Sequence, residues 1–143
     1  VYFPQIAELL PQDAAPQEAV PHGVGRILFV DDEAAVRDVT QEWLTHLGYE
    51  TVVRANGREA LETFQANPQL FDLVITDYTM PDMTGVTLTQ EIQRLRPGIP
   101  IVLCTGFHQV MDSEPIQALG LTAFLLKPFT LKDLGVTIQR ILP

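Results

Sequence analysis

The chain has 143 residues, 46% of them apolar and 19% charged, and its 9 basic against 18 acidic side chains leave a formal net charge of −9. A length near 150 favours one domain with a sizeable core, and the acidic balance argues against binding nucleic acid or an anionic membrane surface, since both select basic patches. Cys104 stands alone, so no internal disulfide can form, and no apolar run reaches the ~18–20 residues of a membrane span. These features lead us to expect a cytoplasmic protein without direct membrane contact. Val1 in place of an initiating Met leads us to expect a piece of a longer chain.

Residues 1–25 carry Pro4, Pro11, Pro16 and Pro21, three acids and no Lys or Arg, the pattern of a semi-rigid proline-rich linker. A folded unit is expected from Arg26 onward. Residues 26–30 (RILFV) predict a buried strand, and 34–47 predict a helix with Val36, Val39, Trp43, Leu44 and Leu47 on its apolar face, stopped by Gly48. Strands at 50–53, 71–76, 99–104 and 122–126 then alternate with helices at 58–66, 86–95, about 114–119 and 131–141. The helix near 114 is short, with Asp112 or Ser113 as its cap and Pro115 in its first turn, which predicts a long mobile loop over 106–111. Five successive βα units with such apolar strands predict an α/β fold, an open, doubly wound parallel sheet covered by helices on both faces.

In such a sheet the functional crevice lies beyond the carboxyl ends of the strands. The first strand runs into Asp31-Asp32-Glu33, the third into Asp77, the fourth into Thr105 and the fifth into Lys127-Pro128. Parallel topology therefore gathers carboxylates, a hydroxyl and an ammonium at one edge. Two carboxylates ~4 Å apart repel by about 4 kcal/mol at an effective dielectric near 20, so the cluster needs a cation or must retain a proton. Hard oxygen ligands that leave room for water and a phosphate oxygen suit Mg²⁺, and no Cys/His group favours zinc. Each piece has a plainer reading. The acids at 31–33 could cap the first helix, Met80, Pro81 and Gly85 could be turn chemistry, Phe124 could be core, and Cys104 reads as a small core residue. His22, His46 and His108 are read as non-catalytic.

Asp31-Asp32, the run Asp77-Tyr78-Thr79-Met80-Pro81-Asp82-Met83-Thr84-Gly85, Thr105-Gly106 and Lys127-Pro128-Phe129 together resemble a response regulator receiver domain of two-component signalling. The resemblance covers about Arg26 to Leu142 and implies a receiver domain over 26–143 with a flavodoxin-like sheet of strand order 2-1-3-4-5. It implies Asp77 as phosphoacceptor and Mg²⁺ as cofactor, held by Asp32, Asp77 and the backbone carbonyl of Thr79, and by Asp31 through a water. Thr105 and Lys127 would hold the phosphoryl oxygens. Phe124, three residues before Lys127, would be the rotameric switch residue coupled to Thr105. The output surface would then be the fourth helix, fifth strand and last helix.

The resemblance further implies a phosphohistidine donor, either a histidine kinase or a histidine phosphotransfer protein, and a weak homodimer. The chain's own catalysis would be limited to its phosphorylation from a donor and its dephosphorylation. Val1-Tyr2-Phe3-Pro4 resembles the last strand of a histidine-kinase ATP-binding domain. With the proline-rich spacer, and with no output domain after Pro143, the arrangement is similar to the tail of a hybrid sensor histidine kinase. A free-standing regulator or adaptor acting by protein contacts is the alternative. A hydrolase with an aspartate nucleophile is disfavoured, because Thr79 stands where such enzymes carry a second acid.

Overall fold

The computed structural model describes residues 23–106 and 121–142. The expected linker up to His22, the loop after Gly106, the helix near 114 and His108 lie outside the described residues. Among the described residues nine elements are seen: β1 (Arg26–Val30), α1 (Ala34–His46), β2 (Glu50–Arg54), α2 (Gly57–Ala66), β3 (Leu73–Asp77), α3 (Gly85–Leu95), β4 (Ile101–Thr105), β5 (Ala123–Leu126) and α4 (Leu131–Ile141). The five strands form one parallel sheet in the order β2-β1-β3-β4-β5, as expected.

Alternation along the strands sends side chains into two cores. Ile27, Phe29, Leu73, Ile75, Val102, Cys104 and Leu125 pack with Leu44 and Leu47 of α1 and with Leu134 and Ile138 of α4. Leu28, Val30, Val74 and Ile101 point the other way, onto Ala60 and Phe64 of α2 and Leu88 and Ile92 of α3. Cys104 is fully buried, and burial pushes its thiol pKa far up, in keeping with a core residue rather than a reactive one.

The helices begin on local caps. Asn56 accepts the Glu59 N–H at 2.8 Å, Thr84 the Thr87 N–H at 3.2 Å, and Thr130 and Asp133 form a reciprocal capping box. Gly48, at φ +102°, turns the chain out of α1, and a Cβ there would also collide with the Gly23 carbonyl.

Several expectations need correction. Val39 lies outside the core at 44% exposure, while Thr40 is the buried neighbour, because the α1 stripe is narrower than its apolar spacing implies. β3 starts at Leu73, not Phe71; Phe71 instead stacks on Phe64 as a core plug, and the strand runs on to include Asp77. β4 starts after Pro100, whose nitrogen cannot donate to the ladder, and includes Thr105. Smaller shifts of one residue set α1 to end at His46, β2 at Arg54, α2 to begin at Gly57, α3 at Gly85 and β5 at Ala123. At the N-terminal side, Gly23 N–H donates to Leu47 at 2.9 Å and Gly25 accepts from Glu50 at 2.9 Å, so residues 23–25 already pack on the domain.

Candidate functional site

The side chains expected at the site continue the core ladders past their apolar ends. Asp31 stands two residues beyond Phe29, Asp77 two beyond Ile75 and Lys127 two beyond Leu125, all three of those core residues facing α1 and α4. The next residues on that face therefore meet above the sheet. Lys127 Nζ lies 3.0 Å from Asp31 Oδ2 and 3.0 Å from Asp77 Oδ1. Asp31 is wholly buried, Asp77 nearly so, and Asp32 is exposed at the rim.

One carboxylate oxygen from each of Asp31, Asp32 and Asp77 falls within 4.8 Å of the others. With all three ionised, the group carries −3, and Lys127 returns +1, leaving −2 beside an opening to solvent. An all-oxygen set with this deficit fits a hard divalent cation such as Mg²⁺. Burial, reinforced by the charge of Asp31, raises the Asp77 pKa above the usual carboxylate value against the opposing pull of Lys127. For Lys127 burial works against the charge, yet its bonds to Asp31 and Asp77 outweigh it and raise its pKa.

The acids at 31–33 do not cap α1. Glu33 is the N-cap residue but makes no side-chain cap bond, and Asp31 Oδ1 instead accepts the Glu33 N–H at 2.9 Å to shape the turn. Thr105 ends β4, 1% exposed, with its hydroxyl 3.3 Å from the Gly106 carbonyl and its own carbonyl accepting the Lys127 N–H at 3.0 Å. Register pairs Leu103 with Phe124 and Thr105 with Leu126, which puts Thr105 and Phe124 on the same face of adjacent strands. Phe124 is 36% exposed, outside the core. Lys127-Pro128 is a cis peptide. His46 sits in the last turn of α1, at the far edge of the sheet from this cluster.

Thr79 lies in the segment between β3 and α3. That segment is closed at its base by Gly85 N–H to the Tyr78 carbonyl, 2.8 Å, and Met80 is buried in the α2/α3 core. Gly85 is required here, since an added Cβ would overlap the Asp77 carbonyl oxygen and lie 2.7 Å from Leu103 Cδ1. Two contacts have no counterpart in the sequence expectations. Arg37 Nη1 donates to the Asp31 carbonyl at 2.9 Å, and Asp82 accepts the N–H groups of Gly57 and Arg58 at 3.1 and 2.7 Å. An acid three residues after Thr79 and an Arg in the second turn of α1 carry no signal by themselves.

Beside Lys127, an apolar hollow of about 560 Å³ opens between α1 and the start of the segment leading to α4. Val36, Val39, Trp43, Pro128 and Phe129 line it, with Trp43 edge-on to Phe129 at 6.2 Å.

The sequence matches the family described as "Response regulator receiver domain" over residues 27–139. A probable transcriptional regulator ycf27 of Cyanidium caldarium is 38% identical over 116 residues, covering 81% of this chain and 45% of the regulator. The sensor kinase CckA of Brucella abortus is 31% identical over 151 aligned residues, covering 99% of this chain and 16% of the kinase. The chain thus spans under half of either relative. Among solved structures, the chemotaxis protein CheY4 of Vibrio cholerae matches with a TM-score of 0.76 at 33% identity, covering 84% of this chain and all of that one (100%). The response regulator TrrA of Thermotoga maritima in complex with Mg²⁺ and BeF matches with a TM-score of 0.74 at 33% identity, covering 82% and 98%.

Proposed function

This chain belongs to the response regulator receiver domain family, and from that premise we propose that Asp77 accepts a phosphoryl group from a phosphohistidine partner. The observation that carries the reading is the contact of one ammonium, Lys127, with both Asp31 and Asp77 beside the exposed carboxylate of Asp32. Asp32, Asp77 and the Thr79 carbonyl would hold Mg²⁺ directly, and Asp31 would act through a water. Held there, Mg²⁺ would supply positive charge to offset that of the phosphoryl oxygens. Phosphoryl transfer has a loose transition state, so positioning and charge neutralisation supply most of the catalysis. The Asp77 carboxylate attacks phosphorus as the donor imidazole leaves, and the product is an acyl phosphate that water cleaves. Lys127 and the Thr105 hydroxyl take phosphoryl oxygens. Movement of Thr105 toward the new charge is read by Phe124 on the neighbouring strand, which biases the β5/α4 surface.

The donor is a histidine kinase or histidine phosphotransfer protein, and its approach to Asp77 crosses the rim beside Lys127. The apolar hollow formed by Val39, Trp43 and Phe129 is contiguous with that rim and gives such a partner non-polar contact. The parent is a hybrid sensor histidine kinase. In support, the match to a sensor kinase takes in 99% of this chain, including the proline-rich segment, whereas the match to the regulator takes in 81%. A cytoplasmic site of action follows from this role, and no described helix is long and apolar enough to cross a membrane.

Intact mass after incubation with acetyl phosphate tests the reading. One Mg²⁺-dependent, hydroxylamine-labile phosphoryl group is expected, absent from Asp77→Asn. Incorporation that survives the substitution at a single site would refute the assignment.

A further inference from the structure

The segment that carries Thr79 is held at three points. Gly85 N–H closes its base on Tyr78, and Met80 anchors it in the core. Its far end is tied to a different element altogether. Asp82 Oδ1 accepts the Gly57 N–H at 3.1 Å and the Met83 N–H at 2.9 Å, and Asp82 Oδ2 accepts the Arg58 N–H at 2.7 Å. Burial opposes the charge on Asp82, but these backbone donors prevail and lower its pKa, so the carboxylate is the form that binds. Gly57 also lies so close to Met83 that an added Cβ would overlap its Cγ.

The first two N–H groups of α2 are thus satisfied by a residue 24 to 25 positions away, whereas the third, that of Glu59, is satisfied locally by Asn56. A helix needs its first N–H groups satisfied, but a local cap does this without fastening another segment. The distant acceptor therefore does a second thing: it fixes the tip of the segment that begins beside Asp77.

We propose that Asp82 is a positioning residue for the metal site, fastening the 78–84 segment to α2 so that the Thr79 carbonyl is held ready for Mg²⁺. This rests on the receiver reading of Asp32, Asp77 and Thr79. The coupling is reciprocal, since a ligand that favours the fastened segment is itself favoured by the fastening. Metal binding at one end of the segment should tighten the Asp82 bonds at the other.

Calorimetric Mg²⁺ titration of the full chain and two variants tests this, with melting temperature recorded for each. Asp82→Ala removes the fastening. Asn56→Ala removes a cap at the same helix end without touching the segment. Both should lower the melting temperature, but only Asp82→Ala should weaken Mg²⁺ binding, by ~10-fold, the scale set by outer-shell partners of metal ligands. Asp82→Asn, which retains Oδ1 as acceptor, should restore part of the affinity. In the wild-type chain, Mg²⁺ should slow hydrogen exchange at the Gly57 and Arg58 amides, a readout that needs no substitution. Equal weakening by Asn56→Ala would reduce Asp82 to a helix cap, and unchanged affinity in Asp82→Ala, or unchanged exchange at Gly57 and Arg58, would overturn the proposal. A wild-type chain with no Mg²⁺ affinity would instead overturn the receiver reading beneath it.

Discussion

Lys127 donates to Asp31 Oδ2 at 3.0 Å, joining the end of β5 to the end of β1 across 96 residues of sequence. The same ammonium reaches Asp77, so one side chain offsets part of the repulsion between two nearly inaccessible carboxylates. Replacing it leaves both acids without that compensation. Lys127→Met should cost about 2 kcal/mol, below the ~3–5 of a fully buried pair because the lysine retains 27% of its side-chain exposure. The Lys127 pKa is raised in the fold, so its stabilisation is complete below the unfolded value near ~10.4 and disappears as pH rises through the folded one. Urea unfolding from pH 7 to 11 should show this alkaline loss in the wild type and a smaller one in Lys127→Met.

Asp77 shows the opposite economy. Burial and the neighbouring Asp31 raise its pKa, so the unfolded chain ionises first and the charge destabilises the fold. The penalty is absent below the unfolded pKa of ~3.9, grows as pH rises through the folded value, and then stays constant. Asp77→Asn should therefore melt higher than wild type at pH 7 in metal-free buffer, with the two curves converging toward pH 3. A lower melting temperature for the variant at pH 7 would contradict the electrostatic account.

Mg²⁺ should reverse that penalty in the wild-type chain. At a concentration 100 times its dissociation constant, the expected stabilisation is about 2.7 kcal/mol. Ligands must be deprotonated to bind, so the gain should shrink as pH falls through the raised Asp77 pKa. Thermal melts with and without Mg²⁺ at pH 5 and pH 7 check both statements, and Asp32→Asn should reduce the shift at pH 7.

Gly85 offers a steric test. Its α-carbon faces the Asp77 carbonyl, where no Cβ fits, and Leu103 blocks the way out. Gly85→Ala should cost about 2 kcal/mol, typical of overpacking, and should slow acetyl phosphate incorporation by moving the residues that follow Asp77. Denaturant midpoints and incorporation rates measure the two effects separately.

The sheet and the gathering of charged side chains at its edge were legible because one rule generated both: strand alternation places Phe29 and Asp31, Ile75 and Asp77, Leu125 and Lys127 on the same side. Strand ends were less legible, since apolar content does not distinguish a ladder residue from a core plug such as Phe71. Val39 was misplaced for a related reason. Apolar spacing marks a stripe, but only the packed partner fixes its width, and here buried Thr40 lies within the stripe while Val39 is left at its margin. The Asp82 fastening was invisible because both its donors are backbone N–H groups, which every non-proline residue carries.

Val39 now provides the test of the donor surface. Its side chain is 44% exposed on the wall of the hollow beside Lys127, so a polar replacement should leave the core intact. Acetyl phosphate is small enough to enter the crevice without touching that wall, whereas the proposed phosphohistidine partner would lay a face across it. Val39→Asp should therefore incorporate phosphate from acetyl phosphate at the wild-type rate. Transfer from a phosphorylated histidine phosphotransfer domain that serves the wild-type chain should fall by ~10-fold or more, the loss of about 1.4 kcal/mol or more expected when a charge replaces an apolar contact in an interface. An equal fall with both donors would place the effect on the phosphoryl site itself, and no fall with either would move the donor's contact away from α1.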